Sequence, residues 1–319
     1  MFKILIELPT WMGDCVMSTP AIENIVKLHP NAQITIFGSE VSVEILKNHP
    51  NVVTTVVDDS RKAKYRFLHI YRKAKNLGSF DLALSFRRTF TSKLFIWFSK
   101  AKQKGYYKRY TKKIIHQCIR YNDFVNTVFK SKTNPGKPVV YQRQGAVKKN
   151  NKSSKLLGIN PGASYGSAKR WYPKRFAQVA TNLSNKYDII IFGGPDEKDI
   201  AQDIETFLKK NKVNNYLNLA GKTSISELKD KISNLDLFIT GDSGPMHLAS
   251  AFQIPTVAIF GPTKHNETSQ WLNHQSTIVR KNLECQPCMK RSCPLNHHNC
   301  MKLITSSNVL DSINQLDLN

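Results

Sequence analysis

Apolar residues in this chain fall into short runs of four to eight, separated by segments in which they return at every third or fourth position. The short runs read as strands and the longer periodic segments as helices. Residues 2–8, 33–37, 52–57 and 81–86 are predicted strands in the first half, with helices over 17–28 and 41–47. The second half repeats the rhythm, with strands at 155–159, 187–192, 216–219, 235–240, 256–260 and 277–280 and helices at 173–184, 197–210, 224–233 and 245–252. Strands alternating with helices imply parallel sheets covered by helices.

A polar, basic stretch rich in Lys, Asn and Ser, residues 142–155, lies between the halves and reads as an exposed linker. The expected organisation is two Rossmann-like α/β domains, 1–150 and 151–319, facing across a cleft, with the last helix free to pack back on the first domain. Ligands of such sheets sit beyond the carboxyl ends of the strands. The dinucleotide fingerprint G-x-G-x-x-G is absent, which argues against a nicotinamide site.

Length and charge sharpen this picture. A chain of 319 residues exceeds what one core organises. With 47 Lys and Arg against 23 Asp and Glu, the formal charge is +24, which predicts attraction to something polyanionic: nucleic acid, an acidic membrane surface or a phosphorylated glycan. The first apolar run carries Glu7 and ends at Pro9, so it predicts a strand and not a secretory h-region. No run approaches the roughly 18 apolar residues of a spanning helix. The expected setting is therefore a reducing cytosol for the six cysteines.

Three loops carry candidate chemistry. Gly241-Asp242-Ser243-Gly244-Pro245-Met246-His247 joins a predicted buried strand to a predicted helix, so its N–H groups gather at the positive helix end, an anion site. Residues 160–171, which include Ser164 and Lys169, form a second, basic loop after a strand. Two such loops suggest a nucleotide diphosphate held between them. The third, residues 9–20, leaves the first strand and carries Asp14 after a glycine; this carboxylate reads either as a helix-terminal charge or as a general base. Glu197, just past Gly193-Gly194-Pro195-Asp196, reads equally as a ribose-binding carboxylate or as a charge favoured by a helix dipole. His247 lies one turn into its helix, where packing and phosphate contact are equally expected.

Taken together, Gly13-Asp14 with 18–21, Pro161-Gly162-Ala163 with Lys169-Arg170-Trp171, Phe192-Gly193-Gly194, residues 219–223, and Asp242-Ser243-Gly244 with His247 resemble, in the same order, the bacterial lipopolysaccharide heptosyltransferases of glycosyltransferase family 9. The resemblance covers nearly the whole chain. The Trp11-Met12-Gly13-Asp14 form of the first motif is closer to the heptosyltransferase II branch than to the branch with Leu-Gly-Asp. It implies a GT-B fold and inverting transfer of heptose from ADP-L-glycero-D-manno-heptose to an inner-core heptose on Kdo-lipid A. It implies that Asp14 is the base, that Lys169 meets the leaving diphosphate, and that Ser164, Glu197, Lys222, Thr223, Asp242, Ser243, Gly244 and His247 line the donor. No cofactor is implied for the chemistry, and the chain has no Asp-x-Asp metal motif. The implied setting is the cytoplasm, peripheral on the inner face of the inner membrane.

Two features stand outside those motifs. Cys285, Cys288, Cys293 and Cys300, with His297 and His298 among them, suggest structural zinc or reduced, packed thiols ahead of a disulfide, away from the phosphate loops. Residues 61–75 hold seven Lys or Arg and 100–120 hold eight, with no acid in either and three interleaved tyrosines in the second. They suit docking to an acidic Kdo-lipid A acceptor on an anionic membrane surface. Arg87 and Arg88, after a strand, are candidates for acceptor contact. A basic nucleic-acid-binding protein is the rival class, but no helix-turn-helix, zinc-finger or RNP signature is present. Other core transferases of the same family are the rival enzymes; against a nucleotide-sugar epimerase, no Tyr-x-x-x-Lys pair is placed after a suitable strand and the dinucleotide glycines are missing.

Overall fold

The alternation of strand and helix resolves into two all-parallel sheets, one in each half of the chain. A computed structural model describes residues 1–143, 145, 154–316 and 318. It divides into two compact units, Met1–Arg143 and Gln144–Asn319. The expected linker, 142–155, falls for the most part outside the described residues.

The first unit runs β1 (Lys3–Glu7), α1 (Met12–Leu28), β2 (Gln33–Gly38), α2 (Glu40–Leu46), β3 (Val52–Val57), α3 (Arg66–Asn76), β4 (Ser79–Ser85), α4 (Phe90–Phe98), β5 (Lys100–Tyr106) and α5 (Gln117–Phe129). Its strand order is β3-β2-β1-β4-β5. The second runs β6 (Lys155–Asn160), α6 (Pro173–Leu183), β7 (Tyr187–Ile191), α7 (Lys198–Lys210), β8 (Tyr216–Asn218), α8 (Ile225–Ile232), β9 (Leu237–Gly241), α9 (Gly244–Ala251), β10 (Thr256–Ile259), α10 (His265–Thr268), β11 (Ser276–Val279), α11 (Asn299–Lys302) and α12 (Ser306–Asn314). Its order is β11-β10-β9-β6-β7-β8. Read from the first strand of each unit, both follow the 3-2-1-4-5 order of doubly wound sheets, and each reverses direction once: between β1 and β4, and between β6 and β9.

The central strands are apolar without alternation because helices cover both faces. Ile4, Leu5 and Ile6 of β1, and Leu157 and Ile159 of β6, are fully buried. In the second unit they pack with Trp171, Phe176, Val179, Ile239 and Val257 in one cluster. The last helix, α12, packs on α6, β10 and β11 of its own unit.

The sequence reading holds no helix at α3, α4 or α5, and two further elements differ from it. The first helix begins at Met12, five residues earlier than expected, and runs through Pro20. Proline has no N–H to offer the carbonyl four residues back, and that carbonyl, Val16 O, instead accepts the Thr19 hydroxyl at 2.8 Å. The basic run 100–106 is strand β5, the outer partner of β4. Lysines on an edge strand discourage pairing with other chains, so the strand lacks the apolar alternation that marks a core strand.

Candidate functional site

At the switch point of the second sheet, two loops leave adjacent strands, one after β6 and one after β9. Asn160 ends β6, and its side-chain amide donates to Ser243 Oγ at 3.2 Å and to Thr240 Oγ1 at 3.4 Å, tying the loops together. Lys169 Nζ then lies 2.7 Å from Asp242 Oδ2 and donates to the Asp242 carbonyl at 3.1 Å. The two side chains are only 13% and 6% exposed. Thr263, in the loop after β10, donates to the same Asp242 oxygen at 2.6 Å. Lys169 Nζ also sits 4.9 Å above the Tyr165 ring. The lysine and the aspartate, expected to act separately on a donor, are thus one ion pair fixed by a third loop.

Beside this pair Ser243 occupies the cap position of α9 without a side-chain capping bond, and Gly244 and Pro245 open the helix. The N–H groups of Gly244 and Met246 belong to the unsatisfied first turn, where the helix dipole favours an anion; Pro245 has none. His247 is buried within α9. Ser164 is exposed at the tip of the first loop.

Glu197 is also buried. Its carboxylate accepts the Gly194 N–H at 2.8 Å and lies against Gly162, where a Cβ would stand 2.0 Å from the Glu197 carboxyl carbon. A side chain at 162 would have to displace the Glu197 carboxylate, which packs directly against the loop that carries Lys169. Lys222 and Thr223 follow β8 in the next loop; Lys222 is exposed and donates to the Asn218 carbonyl at 3.1 Å.

The cysteine segment lies elsewhere than expected. It is packed directly on the 163–171 loop and is not remote from it. Ala168 N–H donates to the Arg291 carbonyl at 3.0 Å, Tyr165 OH to the Met289 carbonyl at 2.7 Å, and Trp171 Nε1 to the Ile304 carbonyl at 3.0 Å. His298 Nε2 is 3.0 Å from the Ala168 carbonyl. All four cysteines are free thiols lining a small cavity with Ala168 and His298. Burial, then the neighbouring Cys293, pushes the Cys300 thiol up to about 11. Among the described residues no group of three His, Cys, Asp or Glu side chains is arranged to hold a metal ion, so of the two readings of this segment, structural zinc or packed thiols, the thiols as they stand do not form a zinc site. The segment braces the loop that carries Lys169.

In the first unit the matching switch point lies between β1 and β4. Asp14 is the third residue of α1 and half-buried. Trp11, not Asp14, occupies the cap position, and the Asp14 carboxylate lies in the first turn, where the helix dipole favours it. Burial first, and the nearby Asp14 charge second, push the Tyr121 phenol of α5 well up. The loop before Asp14 is held at three successive carbonyls: Arg87 Nε donates to Leu8 O at 2.6 Å, Ser42 Oγ to Pro9 O, and Ser39 Oγ to Thr10 O at 2.8 Å.

Arg87, a candidate for acceptor contact, is therefore largely engaged. Its Nη1 lies 3.0 Å from Asp58 Oδ2 and 3.4 Å from Glu7 Oε1. Glu7 also accepts Ser85 Oγ at 2.6 Å and Ser92 Oγ at 2.8 Å. Only Nη2 is buried without a partner. Arg88 is exposed. Burial pushes the Glu7 carboxyl up by more than Arg87 and the two hydroxyls pull it down. At Asp58 burial also raises, but Ser60 and Arg87 win and hold it low. Glu7 is the signal the sequence offered for this network: a carboxylate inside an apolar strand needs a partner.

Two outcomes are expected here. Arg87→Ala strands two carboxylates and lowers unfolding free energy by about 3–5 kcal/mol, measured by urea titration. Glu7 protonates at higher pH in the folded than in the unfolded chain, so its contribution is present below the unfolded value and lost as pH rises through the folded one. Wild type should accordingly gain stability relative to Glu7→Gln as pH falls from about 7 toward 4.

Comparison with known proteins supports a common ancestry. Residues 71–299 match glycosyltransferase family 9 (heptosyltransferase). Lipooligosaccharide heptosyltransferase 2 of Campylobacter jejuni is 40% identical over 98% of this chain and 99% of its own. The structure of E. coli ADP-heptose LPS heptosyltransferase II aligns with a TM-score of 0.80 at 22% identity, covering 98% of each chain. E. coli heptosyltransferase WaaC with ADP aligns at 0.75 and 14% identity, over 98% of this chain and 99% of that one. These structural likenesses show a shared GT-B fold.

Proposed function

Because the chain belongs to glycosyltransferase family 9, we propose that it transfers L-glycero-D-manno-heptose, with inversion, from ADP-heptose to the inner-core heptose of heptosyl-Kdo-lipid A. In the first unit, Asp14 takes the proton of the acceptor hydroxyl as its oxygen attacks C1 of the donor heptose. The bond from C1 to the β-phosphate oxygen breaks, and ADP departs with the electron pair. Lys169 and the first-turn N–H groups of α9 take up the negative charge that develops there. Asp242 and Thr263 hold Lys169 in place; Ser164, Ser243 and Gly244 border the diphosphate. Glu197, Lys222 and Thr223 serve the nucleoside side, and His247 supports α9 from within. Arg88 meets the acceptor, whereas Arg87 positions the loop before Asp14.

The single observation behind this reading is the Lys169–Asp242 pair beside the open first turn of α9, at the switch point where doubly wound sheets bind ligands. A lysine held within reach of free N–H groups suits a diphosphate and needs no metal to do so.

The N-terminal unit is the acceptor side and the C-terminal unit the donor side. The acceptor is acidic and membrane-borne, so the enzyme works peripherally at the cytoplasmic face of the inner membrane. Among the described residues no helix is long and apolar enough to cross a membrane. Incubation with ADP-heptose and a heptosyl-Kdo-lipid A acceptor should yield a product heavier by one heptose, read by mass spectrometry. Transfer only to an acceptor that lacks the first heptose would move the chain to another branch of the family.

A further inference from the structure

Helix α3 is amphipathic in an unusual sense. Only Ile70 and Ala74 are buried, while its outer face presents Phe67, Leu68 and Tyr71. Helix α4 packs beside it and adds Phe90 and Trp97, seven residues apart on one side of the helix. Phe67, Phe90 and Trp97 are 58%, 67% and 63% exposed. The rings meet across the two helices in two groups: Phe67 meets Phe90 edge-on at 6.5 Å, Tyr71 meets Phe98 edge-on at 5.0 Å, and Trp97 lies 4.9 Å from Phe98. Large exposed apolar strips of this kind mark contact surfaces.

Charge identifies the contact. Residues 60–122 hold eighteen Lys or Arg and a single acid, Asp81. Arg66 and Arg72 stand on exposed positions of α3 and Lys93 on α4. Lys104 of β5 donates to the Trp97 carbonyl at 2.6 Å, which brings its ammonium to the end of the strip. A second copy of this face would repel it. Aromatic and aliphatic side chains on a helix flanked by Lys and Arg are the composition that lies in a lipid headgroup layer, with rings at the acyl boundary and cations at the phosphates.

We propose that the α3–α4 face docks on an anionic phospholipid bilayer, with Phe67, Phe90 and Trp97 entering the interface and Arg66, Arg72 and Lys93 meeting lipid phosphates. It deepens the proposed function, on which it rests for the membrane location of the acceptor. Phe67, Phe90 and Trp97 have no part in the proposed transfer, so docking and turnover are measurable apart.

The test is sedimentation of the full chain with vesicles of phosphatidylglycerol and phosphatidylethanolamine, without donor or acceptor, against phosphatidylcholine alone. Wild type should co-sediment with the anionic vesicles and not with the neutral ones. The triple variant Phe67→Ser/Phe90→Ser/Trp97→Ser should bind at least about tenfold more weakly, and Arg66→Gln/Arg72→Gln/Lys93→Gln roughly a hundredfold more weakly. The aromatic variant should keep wild-type turnover on a soluble, delipidated acceptor. If the aromatic variant does not fold, wild-type tryptophan emission still decides. Vesicles with brominated acyl chains should quench it, and Trp97→Phe should remove most of that quenching. Absence of anionic-vesicle binding by wild type, or wild-type binding by the folded aromatic variant, overturns the proposal. So does retention of RNA or self-association through this face in place of lipid. Failure of heptose transfer with lipid binding intact would instead count against the proposed reaction.

Discussion

Asp14→Asn should lower kcat for heptose transfer by roughly 10²–10⁴ while leaving ADP affinity unchanged, because an amide of the same shape cannot accept the acceptor proton. The fold should survive the change. Asp14 is the third residue of α1 and not its cap, so the helix start does not depend on it, and the weakened interaction with the helix dipole costs about 0.3–1 kcal/mol. Its three-carbonyl support from Arg87, Ser39 and Ser42 does not involve the Asp14 side chain. Turnover at several pH values, alongside calorimetric ADP titration, checks both halves of the expectation. Full activity in Asp14→Asn would remove this carboxylate from the base role.

Lys169→Ala is expected to cost about 10²–10³ in kcat and to weaken ADP binding as well, since the positive charge meets the diphosphate both bound and departing. The variant carries a second penalty. Asp242 stays buried against Thr263 with no cation, and breaking a buried pair costs about 3–5 kcal/mol of stability. The two effects separate in the double variant Lys169→Ala/Asp242→Asn. Removing the stranded charge should restore much of the stability, measured by thermal or urea unfolding, and none of the turnover. Recovery of activity in the double variant would mean that Lys169 serves the fold and not the leaving group.

Arg87 shows how a residue type at a suggestive position misleads. An arginine after a strand end looks available for an acidic acceptor. Asp58 lies 29 positions earlier in the chain and Glu7 lies 80, and only the pairing of β1 with β4, of β1 with β2 and of β2 with β3 brings those carboxylates to it. The cysteine segment teaches the same lesson. Its spacing suggested an isolated cluster after the last strand, yet backbone bonds from Ala168 to Arg291 make it the outer wall of the Lys169 loop. Thr263 went unnoticed because a Gly-Pro-Thr after a strand carries little local signal. Helix α3 was hidden because its apolar residues face outward, and strand β5 because its lysines mask an edge.

What the sequence alone determined was the period and the punctuation. Apolar runs, helical repeats and the loops at their junctions predicted two parallel sheets, and the loops that carry Asp14, Lys169 and Asp242. Those features are local, because strand and helix periodicity and chain-breaking residues act within a few positions. Tertiary structure alone decided the partners: Lys169 with Asp242 across 73 positions, Glu197 beneath Gly162, and Arg87 between Glu7 and Asp58. Strand order sets which loops meet at a switch point, and burial then compels each charged group gathered there to find an opposite charge or a hydrogen bond.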